Sequence, residues 1–149
     1  MAAQLAAERE AKVAGIDAAE NLLVIARSRI PAGQFRVADL EELPFADNTF
    51  DAVTGFNSFQ YAANPDAALA QATRVAKPEG AVVIVTWGKP EGMEFATFMT
   101  ALKSLLPPSP AGTPGPFALS DEEALREFAT RAGLTPIEVV DVNSPFHYT

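Results

Sequence analysis

Residues 81–87, AVVIVTW, are an apolar run broken only by Thr86. A half-exposed strand alternates apolar and polar side chains, and an amphipathic helix repeats every three to four positions. This stretch does neither. It reads as a strand buried on both faces of a parallel sheet. Parallel strands need crossover connections, usually helical, and the rest of the chain supplies them. Further strands are predicted at 13–17 (VAGID), 35–39 (FRVAD) and 50–56 (FDAVTGF). Helices are predicted at 2–11, at 18–30 with Leu22, Leu23, Ile25, Ala26 and Ile30 on one face, and from Pro65 to about Ala76. Asn64 is a capping side chain followed by proline at the first helical position. A helix over 93–106 follows. Ser120 with Glu123 forms a capping box for a helix reaching Ala132, closed by Gly133. TPIEVVDV, 135–142, reads as a last strand. The alternation predicts an α/β fold with a doubly wound, mainly parallel sheet.

The length of 149 residues fits one domain spanning 1–149. Five prolines in LPPSPAGTPGPF, 106–117, preclude regular structure there. That segment is expected to form a loop or lid, to about residue 118. There are no cysteines, which excludes disulfides and thiolate chemistry, and a single histidine, His147, which makes a histidine metal site an unsuitable reading. No metal is therefore expected. The net charge of −8, with scattered basic residues, argues against nucleic acid. No apolar run is long enough to span a membrane, and the first fifteen residues lack a signal-peptide core. A cytoplasmic protein is expected.

In sheets of this kind ligands bind beyond the carboxyl ends of the strands. Three such ends carry polar residues. Asp17 closes the first strand, where an acid can accept hydrogen bonds from two ribose hydroxyls. Asp39 and Leu40 follow the second, suited to an adenine amino group and its ring. Asn57 to Tyr61, NSFQY, follow the third and would face the reacting end of a ligand, with Gln60 and Tyr61 toward a substrate. Each residue also has a plainer reading. Asp17 with Glu20 is a D-x-x-E capping box, Asp39 a loop acid, Asn57 a turn residue, Gln60 a solvated surface residue and Tyr61 a core aromatic. Trp87 suits packing better than stacking on a ligand. Co-occurrence at three successive strand ends favours the binding reading.

VAGIDAAENLLVIAR, the stretch FRVADLEELPFADNTFDAVTGFNSFQYAANPDAALAQATRVAKPEGAVVIVTWG, and EEALREFATRAGL resemble class I S-adenosylmethionine-dependent methyltransferases of type 11. The resemblance covers about residues 3–142. It implies a Rossmann-like fold, S-adenosylmethionine as cofactor and a small-molecule acceptor. It assigns Asp17 to the ribose, Asp39 and Leu40 to the adenine, and Asn57 to the cofactor side. Gln60 and Tyr61 stand where many members carry two histidines, so no catalytic base is assigned. The family also opens with a strand and a G-x-G-x-G-like loop. Here no two of the nine glycines lie two positions apart. The expectation is a domain lacking the family's first and last strands, with weak or absent cofactor binding and impaired activity. Without the first strand, 13–17 should pair directly with 50–56, or a second chain should fill the gap. A homodimer follows, with exchanged elements as one form of it. A different class of function, a non-catalytic α/β assembly or binding module, fits the missing loop. A dinucleotide oxidoreductase of the short-chain type needs Tyr-x-x-x-Lys. Tyr61 is followed by Pro65 at that spacing, and Tyr148 is next to last.

Overall fold

The computed structural model describes residues 2–102, 105 and 115–143. In chain order they form α1 (Ala2–Ala7), β1 (Ala14–Asp17), α2 (Glu20–Arg29), β2 (Gln34–Val37), β3 (Phe50–Phe56), α3 (Pro65–Val75), β4 (Ala76–Val85), α4 (Glu94–Leu102) and α5 (Glu122–Arg131). Short 3-10 turns at Phe59–Tyr61 and Pro90–Gly92 follow β3 and β4. The strands form two parallel pairs. β1 pairs with β2, Asp17 opposite Val37, and β3 pairs with β4, Phe56 opposite Val85. β1 and β3 do not pair with each other, contrary to the direct pairing considered for 13–17 and 50–56.

The core lies on one face of the β3–β4 pair. Phe59, Ala68, Leu69, Ala72, Leu119 and Phe128 are buried together, with Val53, Val82 and Ile84 packed against them. The Phe59 and Phe128 rings meet edge-on, centroids 6.3 Å apart. α3 supplies Ala68, Leu69 and Ala72 because positions four apart share one helix face. Asn64 caps that helix as read from the sequence, its side chain accepting from the Ala67 N–H at 3.1 Å. Gly55 is also required. A Cβ there would lie 2.2 Å from Phe59 Cε2.

The expectation of two-sided burial for 81–87 is corrected. Val82 and Ile84 face the core, but Val83 and Val85 on the other face are exposed, as is Phe56 beside them. No helix among the described residues covers that face. β4 also begins earlier than predicted, at Ala76, and its register jumps from Phe50↔Ala76 to Ala52↔Ala81, so that 77–80 bulge out. The Lys77 ammonium donates to Asp51 across the bulge at 2.6 Å, which holds the Asp51 carboxyl below its ordinary range.

Two further expectations change. Residues 135–142 form no strand, and Ile137 is 94% exposed. A strand needs a neighbour for its backbone groups, and none lies beside this segment among the described residues. α5 is capped by Asp121 rather than Ser120, its carboxylate accepting from the Glu123 and Ala124 N–H groups. Gly133 closes the helix at φ +80°, a conformation that suits glycine. Most of the proline-rich segment (106–114), together with His147 and Tyr148, lies outside the described residues.

Candidate functional site

The first rim is built on the β1–β2 pair. Asp17 is the last residue of β1 and is half-buried. Its Oδ1 accepts from the Ala19 N–H at 2.8 Å, turning the chain into α2. The D-x-x-E capping box is therefore not formed. The residue at the cap position is Ala19, and Glu20 instead pairs with Arg27. Asp39 lies two residues beyond β2 and does the same job for the next turn, Oδ1 accepting from the Glu41 N–H at 2.9 Å. Because the strands are adjacent and parallel, both carboxylates sit at the same end of one strand pair. Each keeps its second oxygen without a partner among the described residues. Leu40 is half-buried and packs against the core cluster, so it bridges this rim to the β3–β4 side.

The second rim follows β3. The Asn57 N–H donates to the Val85 carbonyl at 2.8 Å, the last backbone link between the strands. Asn57 then turns at φ +45°, a left-handed conformation that asparagine tolerates better than most residues. Gln60 and Tyr61 exchange the places expected on the plainer readings. Gln60 is 2% exposed, its amide Nε2 3.5 Å from Asn57 Oδ1, whereas Tyr61 is 55% exposed. Tyr61 is not a core aromatic and Gln60 is not a solvated one. The hydrophobic side chains around the 3-10 turn face inward at Phe59, and the one-residue step to Gln60 leaves its amide inside as well.

Several residues were not singled out in the sequence. Arg74, in the last turn of α3, donates to the Leu43 and Phe45 carbonyls, Asp47 Oδ1 and Gln71 Oε1. It thereby fixes the 40–49 loop that joins the two rims. Glu41 Oε1 accepts from the Asn64 N–H at 2.8 Å, tying the same loop to the start of α3. The hydroxyls of Ser58 and Thr86 are buried without partners among the described residues. The only sequence signal for these two is position: each is a polar residue at or just beyond the carboxyl end of an apolar strand. Lys89 and Asp121 meet at 3.1 Å, the contact raising the lysine and lowering the aspartate from their ordinary values. Among the described residues no group of acids or histidines could hold a metal, and no helix is long and apolar enough to cross a membrane.

Parallel strands with helical crossovers and hydrogen-bonding side chains at the strands' carboxyl ends define an α/β protein of the nucleotide-binding type. The profile of the family described as methyltransferase domain matches residues 1–84, more than half of the chain, and the chain belongs to that family. Among curated relatives, the demethylmenaquinone methyltransferase of Renibacterium salmoninarum is 36% identical over 88 residues, covering 59% of this chain and 37% of that protein. The enzyme of the same name from Thermotoga maritima is 33% identical over 84 residues, 56% of this chain and 37% of its own length. The chain thus spans little more than a third of these relatives. Among solved structures, an S-adenosylmethionine-dependent methyltransferase of Aquifex aeolicus superposes with a TM-score of 0.61 at 23% identity, over 88% of this chain and 63% of that one. A possible histamine N-methyltransferase of Thermotoga maritima gives 0.63 at 20% identity, over 86% and 56%. These likenesses establish the Rossmann-like fold. S-adenosylmethionine is the cofactor of the family. The first rim fits its nucleoside half, since two carboxylates with a free oxygen each are acceptors matched to ribose hydroxyls and an adenine amino group.

Proposed function

We propose that this chain is the methyl-transfer domain, a single domain over 1–149, of an enzyme acting on a small molecule. What carries the reading is the pair of carboxylates, Asp17 and Asp39, at the same end of adjacent parallel strands, each with an oxygen to spare. Asp17 would hold the ribose hydroxyls, Asp39 the adenine amino group, and Leu40 the ring. Asn57 would face the cofactor, and Gln60 and Tyr61 the acceptor. When bound, S-adenosylmethionine supplies an electrophilic methyl group. The chain's own part is to orient the nucleoside and keep the acceptor at near-attack distance, because positioning supplies much of the rate in such transfers. A phenolic or quinol acceptor is the first chemistry to test, since the curated relatives above act on demethylmenaquinone by name.

The chain on its own is proposed to bind the cofactor weakly. The acids address only the nucleoside, and affinity requires contacts that exceed the cost of immobilising the whole ligand. A dissociation constant above about 1 mM is expected, with methyl transfer undetectable. Calorimetry with S-adenosylmethionine and its demethylated product tests this. Micromolar binding abolished by Asp17→Ala would support the assignment of Asp17 and overturn the weak-binding reading. Binding unaffected by both Asp17→Ala and Asp39→Ala would overturn the site. We further propose a cytoplasmic location and a homodimer, in which a second copy covers the unpaired edges of β1 and β3, because free edges of this kind readily recruit strands. Sedimentation showing only monomer at tens of micromolar, roughly where moderate dimers are already formed, would count against it. A second reading is a non-catalytic binding module, which fits a first rim whose acids address only a nucleoside. Transfer activity in any form of this chain would exclude that alternative.

A further inference from the structure

Where β3 and β4 end, the chain places four uncharged polar side chains close together in the fold. The Asn57-to-Val85 link makes Ser58 and Thr86 near successors of one closing contact. Thr86 continues the parity of Val82 and Ile84, the residues of β4 that face the core. Ser58 directly precedes Phe59, a central residue of that core, and Gln60 directly follows it. Among the described residues Ser58 Oγ and Thr86 Oγ1 are buried with no hydrogen-bond partner, and the Gln60 amide has only the long contact with Asn57. Two orphaned hydroxyls on consecutive strand ends are unexpected, because buried polar groups are otherwise paired and an unpaired one is destabilising. Both residues as a whole are half-buried, so the corner that carries these hydroxyls lies at the edge of the fold and not at its centre.

We infer that Ser58, Thr86 and Gln60 form a hydrogen-bonding subsite for an uncharged oxygen of the acceptor, a phenolic hydroxyl or carbonyl. This deepens the reading above and rests on it. Hydroxyls and a carboxamide each donate and accept, which suits a neutral oxygen better than a phosphate or an ammonium group. The nearest charges in sequence after β4, Lys89 and the partner it meets in Asp121, neutralise each other. The subsite stands on the β3–β4 pair, whereas the nucleoside acids stand on β1–β2, so the two halves of a transfer reaction would be held by different strand pairs.

The test uses phenol and toluene, which differ by a hydroxyl in place of a methyl, titrated into the isotope-labelled chain without cofactor. Phenol should shift the backbone amides of 57–60 and 86–88, and toluene should not. Ser58→Ala and Thr86→Val should each weaken phenol binding by at least about threefold, in line with the loss of one neutral hydrogen bond. Each should also raise Tm by a few degrees, since each removes an unpaired buried hydroxyl. A fall in Tm in both variants would mean that the hydroxyls are paired inside the fold, and would overturn the subsite. So would toluene shifting the same amides as strongly as phenol, or the variants binding phenol as wild type does. If the variants weaken S-adenosylmethionine binding and leave phenol binding intact, the corner serves the cofactor and the acceptor assignment is wrong. Cofactor binding that neither Asp17→Ala nor Asp39→Ala weakens, together with phenol binding lost in Ser58→Ala and Thr86→Val, would instead fail the reading above while leaving the subsite standing.

Discussion

The two strand pairs are built from similar parts and differ in what covers them. The β3–β4 pair has α3, α5 and a ring pair, Phe59 and Phe128, closing one face. The β1–β2 pair has α2, in which only Leu23 is buried, while Leu22, Val24 and Ile25 remain exposed. Stability and chemistry are therefore distributed unequally. The carboxylates proposed to bind the nucleoside stand on the thinner pair, and the orphaned hydroxyls stand on the thicker one. Elements with few buried contacts open at lower free energy, so the first rim should order itself on its ligand more than the second.

The sharpest way to break that contrast is truncation of each core. Phe128→Ala removes a fully buried ring and should cost about 3–5 kcal/mol, enough to leave much of the chain unfolded in a thermal or urea melt. Leu23→Ala should cost only about 2 kcal/mol, because the surrounding α2 surface is already open to water. Equal losses would show that the two pairs share one core. Hydrogen exchange should agree, with the β4 amides opening last and the β1 amides earlier.

Glycine replacement sharpens the same point. A Cβ at Gly55 would strike Phe59 at 2.2 Å, and one at Gly33 would strike Phe35 at 2.5 Å. Phe59 is locked in the core, whereas Phe35 is half-exposed and can swing aside. Gly55→Ala should therefore cost about 2 kcal/mol and Gly33→Ala less than about 1 kcal/mol, measured by chemical denaturation.

The joint between the pairs comes next. Arg74→Ala removes donors to two carbonyls, Asp47 and Gln71, and should cost about 1.5 kcal/mol, with amide shifts spreading over 40–49. Asn64→Ala deletes a cap and should cost about 1 kcal/mol. The smallest effect concerns Asp121, whose carboxyl is lowered by its hydrogen bond to Lys89 and by the N–H groups it caps. A lowered carboxyl contributes stability above its unfolded pKa and loses it as pH falls through the folded value. Stability measured from pH 6 to 3 should thus fall less steeply in Asp121→Asn, at the acid end only.

Much of this was legible in the sequence because it is local. Asn64 before Pro65 announced one capped helix, Gly133 the stop of another, α5, and the strand runs at 13–17, 35–39, 50–56 and 81–87 all fell on strands. The acids were found for the same reason, since a residue at the end of an apolar run must lie at the rim of a sheet. What failed was decided by neighbours far along the chain. IEVVDV has the residues of a strand but, among the described residues, no strand beside it, and Ile137, Val140 and Val142 stand in solvent. AVVIVTW has the composition of a doubly covered strand, yet among the described residues only its Val82 and Ile84 face packs against the core, while Val83 and Val85 are exposed.

The sequence by itself determined the order of elements as far as α5, the family resemblance and the two carboxylates at the strand ends, all of which depend on chain spacing and backbone preference over a few residues. Only the tertiary structure decided that β1 and β3 stay apart, that Gln60 is buried while Tyr61 is not, and that Arg74 holds the loop between the rims. Those outcomes depend on which distant groups exclude water from a given atom. Burial is a property of the assembled surfaces, and no local pattern of residue types specifies it.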